Sequence, residues 1–370
     1  MIQVTGYRLQ VTGVWRRRVF ISLVTAGLVF FQSGTAHAKP LRIGTTFSPR
    51  QCVYLGISWK KVYLETLDYG FDLIRLGAYW SEIERAEGVY DFTILDWQIK
   101  KAREKRIPVV LTLGMKAPRW PEYYIPDWVL EKVTLPLGMD VAKDPYLRER
   151  TLKFIEKVVT RYRTERIILY WQVENEARNH IGTRYWYIGS HFLGQEVRLV
   201  RSLDGRKRPI ILTAATYPNK IMRFIARIFV WRDPFKEYAE IGDIIGLNVY
   251  PVIGQKIWHM ERYFFSGVKQ RESYYKGIID YIKDMGKDVW ITELQAEPWE
   301  PGQLVYRAHA VPPTGWPEMT KEYFREFREL GVDTILLWGC EYWAFRKKVF
   351  GYEKWPDTVR GFLKQREEVE

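Results

Sequence analysis

The stretch IILYWQVENEARNH, residues 167–180, frames the reading of the whole chain. It opens with an apolar run and then carries two glutamates, Glu174 and Glu176, on either side of Asn175. A continuous apolar run suits a strand buried on both faces, as in a parallel sheet covered by helices. Polar residues at the C-terminal end of such a strand mark the rim where parallel α/β folds build their sites. Two carboxylates so close pose a question. Which of them does chemistry, and which other strand end supplies its partner?

Working outward, the same unit recurs. LRIGTTF (41–47), FDLIRLGAYW (71–80) and PVVLTLG (108–114) come before it. PIILTAATY (209–217), IIGLNVY (244–250), DVWITEL (288–294) and DTILLWG (333–339) come after. Helical patterns fill the intervals, such as ILDWQIKKAREKR, with Leu95, Ile99 and Ala102 on one face. Eight strand–helix units predict an α/β protein, a (β/α)8 TIM barrel in a single domain. An open doubly wound sheet would carry a glycine-rich phosphate turn after its first strand. The turn here is TTFSPRQC, which has no such pattern.

The first residues read as a targeting segment. Arg16, Arg17 and Arg18 precede the apolar run Val19 to Phe31, and Ala36-His37-Ala38 offers small residues at a cleavage site. The expected organisation is a signal peptide over 1–38 and a catalytic domain over 39–370, exported to the periplasm or outside the cell. An uncleaved N-terminal anchor is the alternative. The apolar run is short for a spanning helix, and no second one follows. The formal charge of +13 includes Arg8 and the three arginines of this segment, so the mature chain keeps +9. Its Lys and Arg are scattered over helical faces such as KKAREKR (100–106), not gathered in a stripe, which argues against a nucleic-acid partner. Oligomeric state is not legible in the pattern.

In a TIM barrel the ends of the strands converge on one mouth. The second run ends with Arg75, Tyr79, Trp80 and Glu82, and the third with Lys116, Arg119 and Trp120. Glu174, Asn175 and Glu176 follow from the fourth, Thr216 and Tyr217 from the fifth, and Asn248 and Tyr250 from the sixth. The last two contribute Glu293, Gln295, Glu297, Trp338, Glu341, Tyr342 and Trp343. Carboxylates, amides and aromatics together fit glycoside hydrolysis. One carboxylic acid protonates the leaving oxygen, and a second carboxylate acts as nucleophile or base. Aromatic faces stack on the C–H surfaces of sugars, and the chain is 16% aromatic, with 16 Trp and 24 Tyr. Trp80, Trp120, Trp299 and Trp343 are candidates for subsite walls. This chemistry needs no cofactor and no metal. His180, His191, His259 and His309 lack ligand spacing. The partner implied is a carbohydrate substrate.

WQVENE resembles the strand-four signature of the clan A glycoside hydrolases, where an Asn-Glu pair holds the acid/base. Within the clan it is most similar to family 42, the β-galactosidase family, as are IRLGAYWSEIERAEGVYDFTILD and VVLTLGMKAPRW; families 5 and 39 are the alternatives. The resemblance implies a retaining β-glycosidase with Glu176 as acid/base and Glu293, from ITEL, as nucleophile. It places Asn175 on the sugar 2-hydroxyl, and Arg75, Tyr250 and Trp338 in the substrate site. Strand alternation puts Glu174 and Glu176 on one side at different depths, and Glu174 is expected to be the deeper carboxylate, paired with Arg75. The other class of function to weigh is a catalytically inactive glycan-binding barrel at the cell surface, against which the intact glutamate pair argues. Cys52 and Cys340 flank neighbouring strands of a closed barrel, so a disulfide between them is weighed against two separate buried thiols.

Overall fold

A computed structural model describes residues 40–180, 182–224, 234–257, 259–299 and 312–367. The expected signal segment lies outside the described residues. The described residues form ten strands: β1 (Arg42–Thr46), β2 (Leu73–Gly77), β3 (Val109–Leu113), β4 (Ile168–Val173), β5 (Ile210–Ala215), β6 (Ile244–Val249), β7 (Val252–Ile257), β8 (Met260–Phe265), β9 (Asp288–Gln295) and β10 (Thr334–Trp338). Eight of them close a barrel in the order β1-β10-β9-β6-β5-β4-β3-β2, and every pair in it is parallel. Helices alternate with these strands, so the TIM barrel expected from the apolar runs is the observed fold.

The strands are short and apolar because both their faces are covered. β2, β3, β6 and β10 are buried at every position. Amphipathic helices supply the outer layer. Pro145–Tyr162 turns Leu147, Phe154, Ile155, Val158 and Val159 inward, and its start is fixed by Asp144, whose carboxylate accepts from the Leu147 N–H at 2.8 Å. β7 and β8 form an antiparallel hairpin outside the barrel, inserted after β6. The sequence reading did not anticipate it.

The barrel closes through β1 and β10, which brings Cys52 and Cys340 to the same side of the seam. Both are buried free thiols, and the Cys340 Sγ donates to the Thr46 carbonyl at 3.0 Å. The disulfide is therefore replaced by the alternative reading. Among the described residues no helix is long and apolar enough to cross a membrane.

Candidate active site

The site is assembled from strand ends. β9 carries Glu293 into the barrel, where it is buried. Its Oε1 accepts from Arg75 Nη2 at 2.6 Å, and its Oε2 accepts from the Tyr250 hydroxyl at 2.6 Å. Arg75, on β2, is itself fixed by two further bonds, Nε to Thr46 Oγ1 at 2.8 Å and Nη1 to Gln172 Oε1 at 3.2 Å. A fully buried guanidinium with three partners aims one fixed positive charge at Glu293. Burial pushes the Glu293 carboxyl up to about 7. Arg75 opposes the shift, Glu176 adds to it, and the Tyr250 hydroxyl opposes it.

Glu176 stands just past β4. Its Oε1 accepts from Asn248 Nδ2 and its Oε2 from Asn179 Nδ2, both at 2.7 Å. Thr292 Oγ1 donates to Asn248 Oδ1 at 2.7 Å, and the Tyr217 hydroxyl donates to Asn179 Oδ1 at 2.9 Å, so both amides are oriented with nitrogen toward Glu176. Asn248 pairs in register with Glu293 across β6 and β9. Tyr250, two residues further along, bonds Glu293. One chain segment therefore holds both carboxylates, one through its amide and one through its phenol.

Asn175 accepts through Oδ1 from Gln172 Nε2 and Thr213 Oγ1, both at 3.1 Å. That fixes its amide orientation and leaves its nitrogen as a donor. Glu174 departs from expectation in two ways. β4 ends at Val173, and both Glu174 (φ +58) and Glu176 (φ +51) are left-handed, so strand alternation does not govern where they point. Glu174 is also not paired with Arg75. Its Oε1 accepts from Met115 N at 2.8 Å and its Oε2 from Lys116 N at 2.5 Å. This needs glycine at 114: a Cβ there would meet Glu174 Oε1 at 2.2 Å, and Gly114 has φ +116.

The aromatic candidates separate. Trp338, at the end of β10, is buried beside the pair, with the Arg119 guanidinium 4.0 Å from its ring centroid and Arg75 at 5.8 Å. Trp299 is 42% exposed and packs edge-on against Tyr250 at 4.8 Å. Trp120 is 71% exposed on the loop after β3. Trp80 does not reach the mouth. It is fully buried, stacks on Phe154 at 5.5 Å and donates to Glu84 Oε2 at 2.7 Å. Trp343 is likewise core, bonded to the Ala296 carbonyl at 2.7 Å. Glu297 and Glu341 are both held by Arg119, and Glu341 also accepts from Ser48 N at 2.5 Å.

Asn179, Gln172 and Thr213 were not named in the sequence reading, and Asn248 and Lys116 were named at their strand ends without a role. Lys116 is buried, with Nζ 3.1 Å from the Glu176 carbonyl and 3.3 Å from Glu122 Oε2. Asn248 lies on the same strand end as Tyr250 at the two-residue period of a strand. Among the described residues no group of three or more His, Cys, Asp or Glu is placed to hold a metal.

The family model for glycoside hydrolase family 42, described as β-galactosidase, matches residues 57–191. No curated protein sequence matches the chain. Solved structures with a similar barrel include a cold-adapted β-galactosidase from a Rahnella species, 15% identical, covering 90% of this chain and 57% of that one at a TM-score of 0.60. Another is GH5_18 from Streptomyces cattleya in complex with GlcNAc, 14% identical, covering 82% and 71% at 0.55. A third is xylanase 10B from Thermotoga petrophila in complex with xylobiose, 13% identical, covering 81% and 82% at 0.51. The chain spans little more than half the length of the β-galactosidases at the head of these matches. It has the fold of the clan A glycoside hydrolases, and over residues 57–191 it is similar to family 42.

Proposed function

We propose that the chain is a retaining β-glycosidase that hydrolyses O-glycosidic bonds of an oligo- or polysaccharide by double displacement. The observation that carries this reading is the asymmetric bracing of two facing glutamates. Glu293 is held by a cation and a phenol, and Glu176 by two neutral amides. A fixed positive charge biases the negative charge of the pair to Glu293. That is the state a nucleophile needs while its partner keeps the proton.

In the first step a Glu293 oxygen attacks the anomeric carbon. The glycosidic C–O bond breaks, and the Glu176 proton goes to the leaving oxygen. Among the described residues each Glu176 oxygen accepts one hydrogen bond, so a protonated Oε can keep its amide donor and still present its O–H to the substrate. Once Glu293 is an ester its charge is gone, which lowers the cost of ionising Glu176. Glu176 then takes a proton from water, the water oxygen bonds the anomeric carbon, and the ester bond to Glu293 breaks. Asn175 Nδ2 is the donor offered to the sugar 2-hydroxyl, and Trp338 and Trp299, both packed edge-on against Tyr250, are the indole faces offered to the sugar. Export of the mature chain, with residues 1–38 removed, is part of the proposal and is tested by N-terminal sequencing of protein recovered outside the cytoplasm.

The experiment is intact mass after incubation with activated 2-deoxy-2-fluoro glycosides of galactose, glucose, mannose, xylose and cellobiose. The expected result is one adduct with one member of the set, absent in Glu293→Gln. An adduct that persists in that variant refutes the nucleophile assignment. Hydrolysis with inversion of the anomeric centre refutes retention.

A further inference from the structure

Behind the Asn175–Glu176 turn lies a second pair of carboxyls that the reaction does not use. Glu196 comes from the helix Ser190–Leu203 and is fully buried. Among the described residues, neither of its oxygens receives a hydrogen bond. The group facing it is the Glu174 carboxyl, within hydrogen-bonding reach. Two carboxylates in contact and out of water cannot both be ionised, and one proton between them turns a repulsion into a hydrogen bond.

The surroundings decide which of the two carries the proton. Glu174 accepts backbone N–H bonds from Met115 and Lys116, and the Lys116 ammonium lies on its side; both favour charge on Glu174. Tyr123, from the same loop, faces Glu174, and among the described residues its buried hydroxyl has no hydrogen-bond partner. Among the described residues no cation pairs with Glu196. We propose that Glu196 is held as a neutral carboxylic acid donating its O–H to Glu174, and that it is a positioning residue for the Asn175–Glu176 pair.

The path to the site is short. Glu174 ties down the N–H groups of Met115 and Lys116. The Lys116 carbonyl accepts from Asn175 N at 3.1 Å, and Lys116 Nζ donates to the Glu176 carbonyl at 3.1 Å. Glu174 and Glu176 both sit in left-handed backbone, which persists only where the surroundings over-determine it. Without the Glu196 proton, Glu174 would face either an unscreened anion or no partner, and the clamp on Met115 and Lys116 would loosen. Burial and the Glu174 charge push the Glu196 carboxyl far above the ordinary carboxylate range, consistent with that geometry.

The protonation is independent of the glycosidase reading; only its consequence for Glu176 rests on that reading. The first test is therefore the infrared difference spectrum between the full chain and its Glu196→Gln variant at about pH 8, above the Glu293 titration. The expected result is a protonated-carboxyl C=O stretch in the wild type that the variant lacks. Its absence from the wild type overturns the proposal. The second test is amide hydrogen exchange at Met115 and Lys116. Glu196→Gln keeps an N–H donor and is expected to stay close to wild type. Glu196→Leu removes the donor and is expected to exchange about tenfold faster, the equivalent of one hydrogen bond. Equal protection in the two variants overturns the positioning role. If Glu196→Leu fails to fold, the infrared comparison still decides. With a substrate in hand, Glu196→Leu lowers kcat and leaves KM near wild type, and Glu196→Gln restores kcat. An inactive wild type with the infrared band present would overturn the glycosidase reading and leave the carboxyl pair standing.

Discussion

Tyr250→Phe removes one atom from the site and leaves the ring that packs edge-on against Trp299 at 4.8 Å. The lost atom donates to Glu293 Oε2 at 2.6 Å, a charge-assisted bond in a buried setting. Such a bond contributes about 1.5–3 kcal/mol. Arg75 remains on Oε1, so Glu293 keeps its cation and loses its second anchor. Two effects follow. Glu293, the proposed nucleophile, is less firmly oriented, and kcat/KM is expected to fall about 10- to 100-fold, the rate equivalent of that bond. The ionised form also loses a donor, so the Glu293 pKa rises. At about 1.4 kcal/mol per unit, the rise is about one to two units. Burial already holds this carboxyl up at about 7. Because the proposed reaction needs Glu293 ionised, the acid limb of the kcat/KM profile in the variant moves to higher pH. The assay is kcat/KM against pH for both proteins, on an aryl glycoside of the sugar identified by trapping. A limb that stays in place, or moves to lower pH, would refute the claim that Tyr250 stabilises an ionised Glu293.

Three further outcomes are expected. Glu176→Gln should slow substrates with poor leaving groups by about 10²–10⁴-fold and activated aryl glycosides much less, since only the former need the proton; an equal loss across a leaving-group series would remove Glu176 from the acid role. Gly114→Ala should destabilise the fold by about 1–3 kcal/mol through its positive φ alone, with the clash against Glu174 added, read as a lowered urea midpoint at unchanged m-value. Stability should fall as pH rises from about 5 to about 7.5. Glu293, raised by burial to about 7, binds a proton in the folded state that the unfolded chain has released, about 3 kcal/mol, and the proton shared by Glu174 and Glu196 acts in the same direction. His180, lowered by burial to about 4, works in the opposite direction with a single proton over the lower part of that window. Urea unfolding at the two pH values reads the net sign, and a chain more stable at the higher pH would show that these carboxyls are not desolvated as described.

What the sequence makes legible follows from periodicity. Strands buried on both faces leave unbroken apolar runs, and the strand ends named Arg75, Glu293, Tyr250 and Trp338 as residues of the mouth, while the roles expected of them came from the resemblance to clan A. Trp80 also ends such a run, yet β2 stops at Gly77, so Trp80 opens the short helix Trp80–Ile83 and turns into the core, where Glu84, one helical turn on, takes its indole N–H. Strand-end logic fails within three residues of the end, because a turn resets the direction of every side chain after it. Glu174 fails for the same reason: a left-handed residue after Val173 sends it sideways to the β3 loop rather than down toward Arg75. The hairpin of β7 and β8 was missed because its pairing is local and its faces carry no continuous apolar run. Glu196 was visible and unread. It shares the buried face of its helix with Phe192, Leu193, Val197 and Val200, a lone carboxyl in an apolar stripe. A charge in that position costs several kcal/mol unless it is paired or neutralised. Because a buried carboxyl with neither a cation nor a hydrogen-bond donor keeps its proton, the stripe points to a protonated acid, and the position of Glu174 in the fold says what that acid is for.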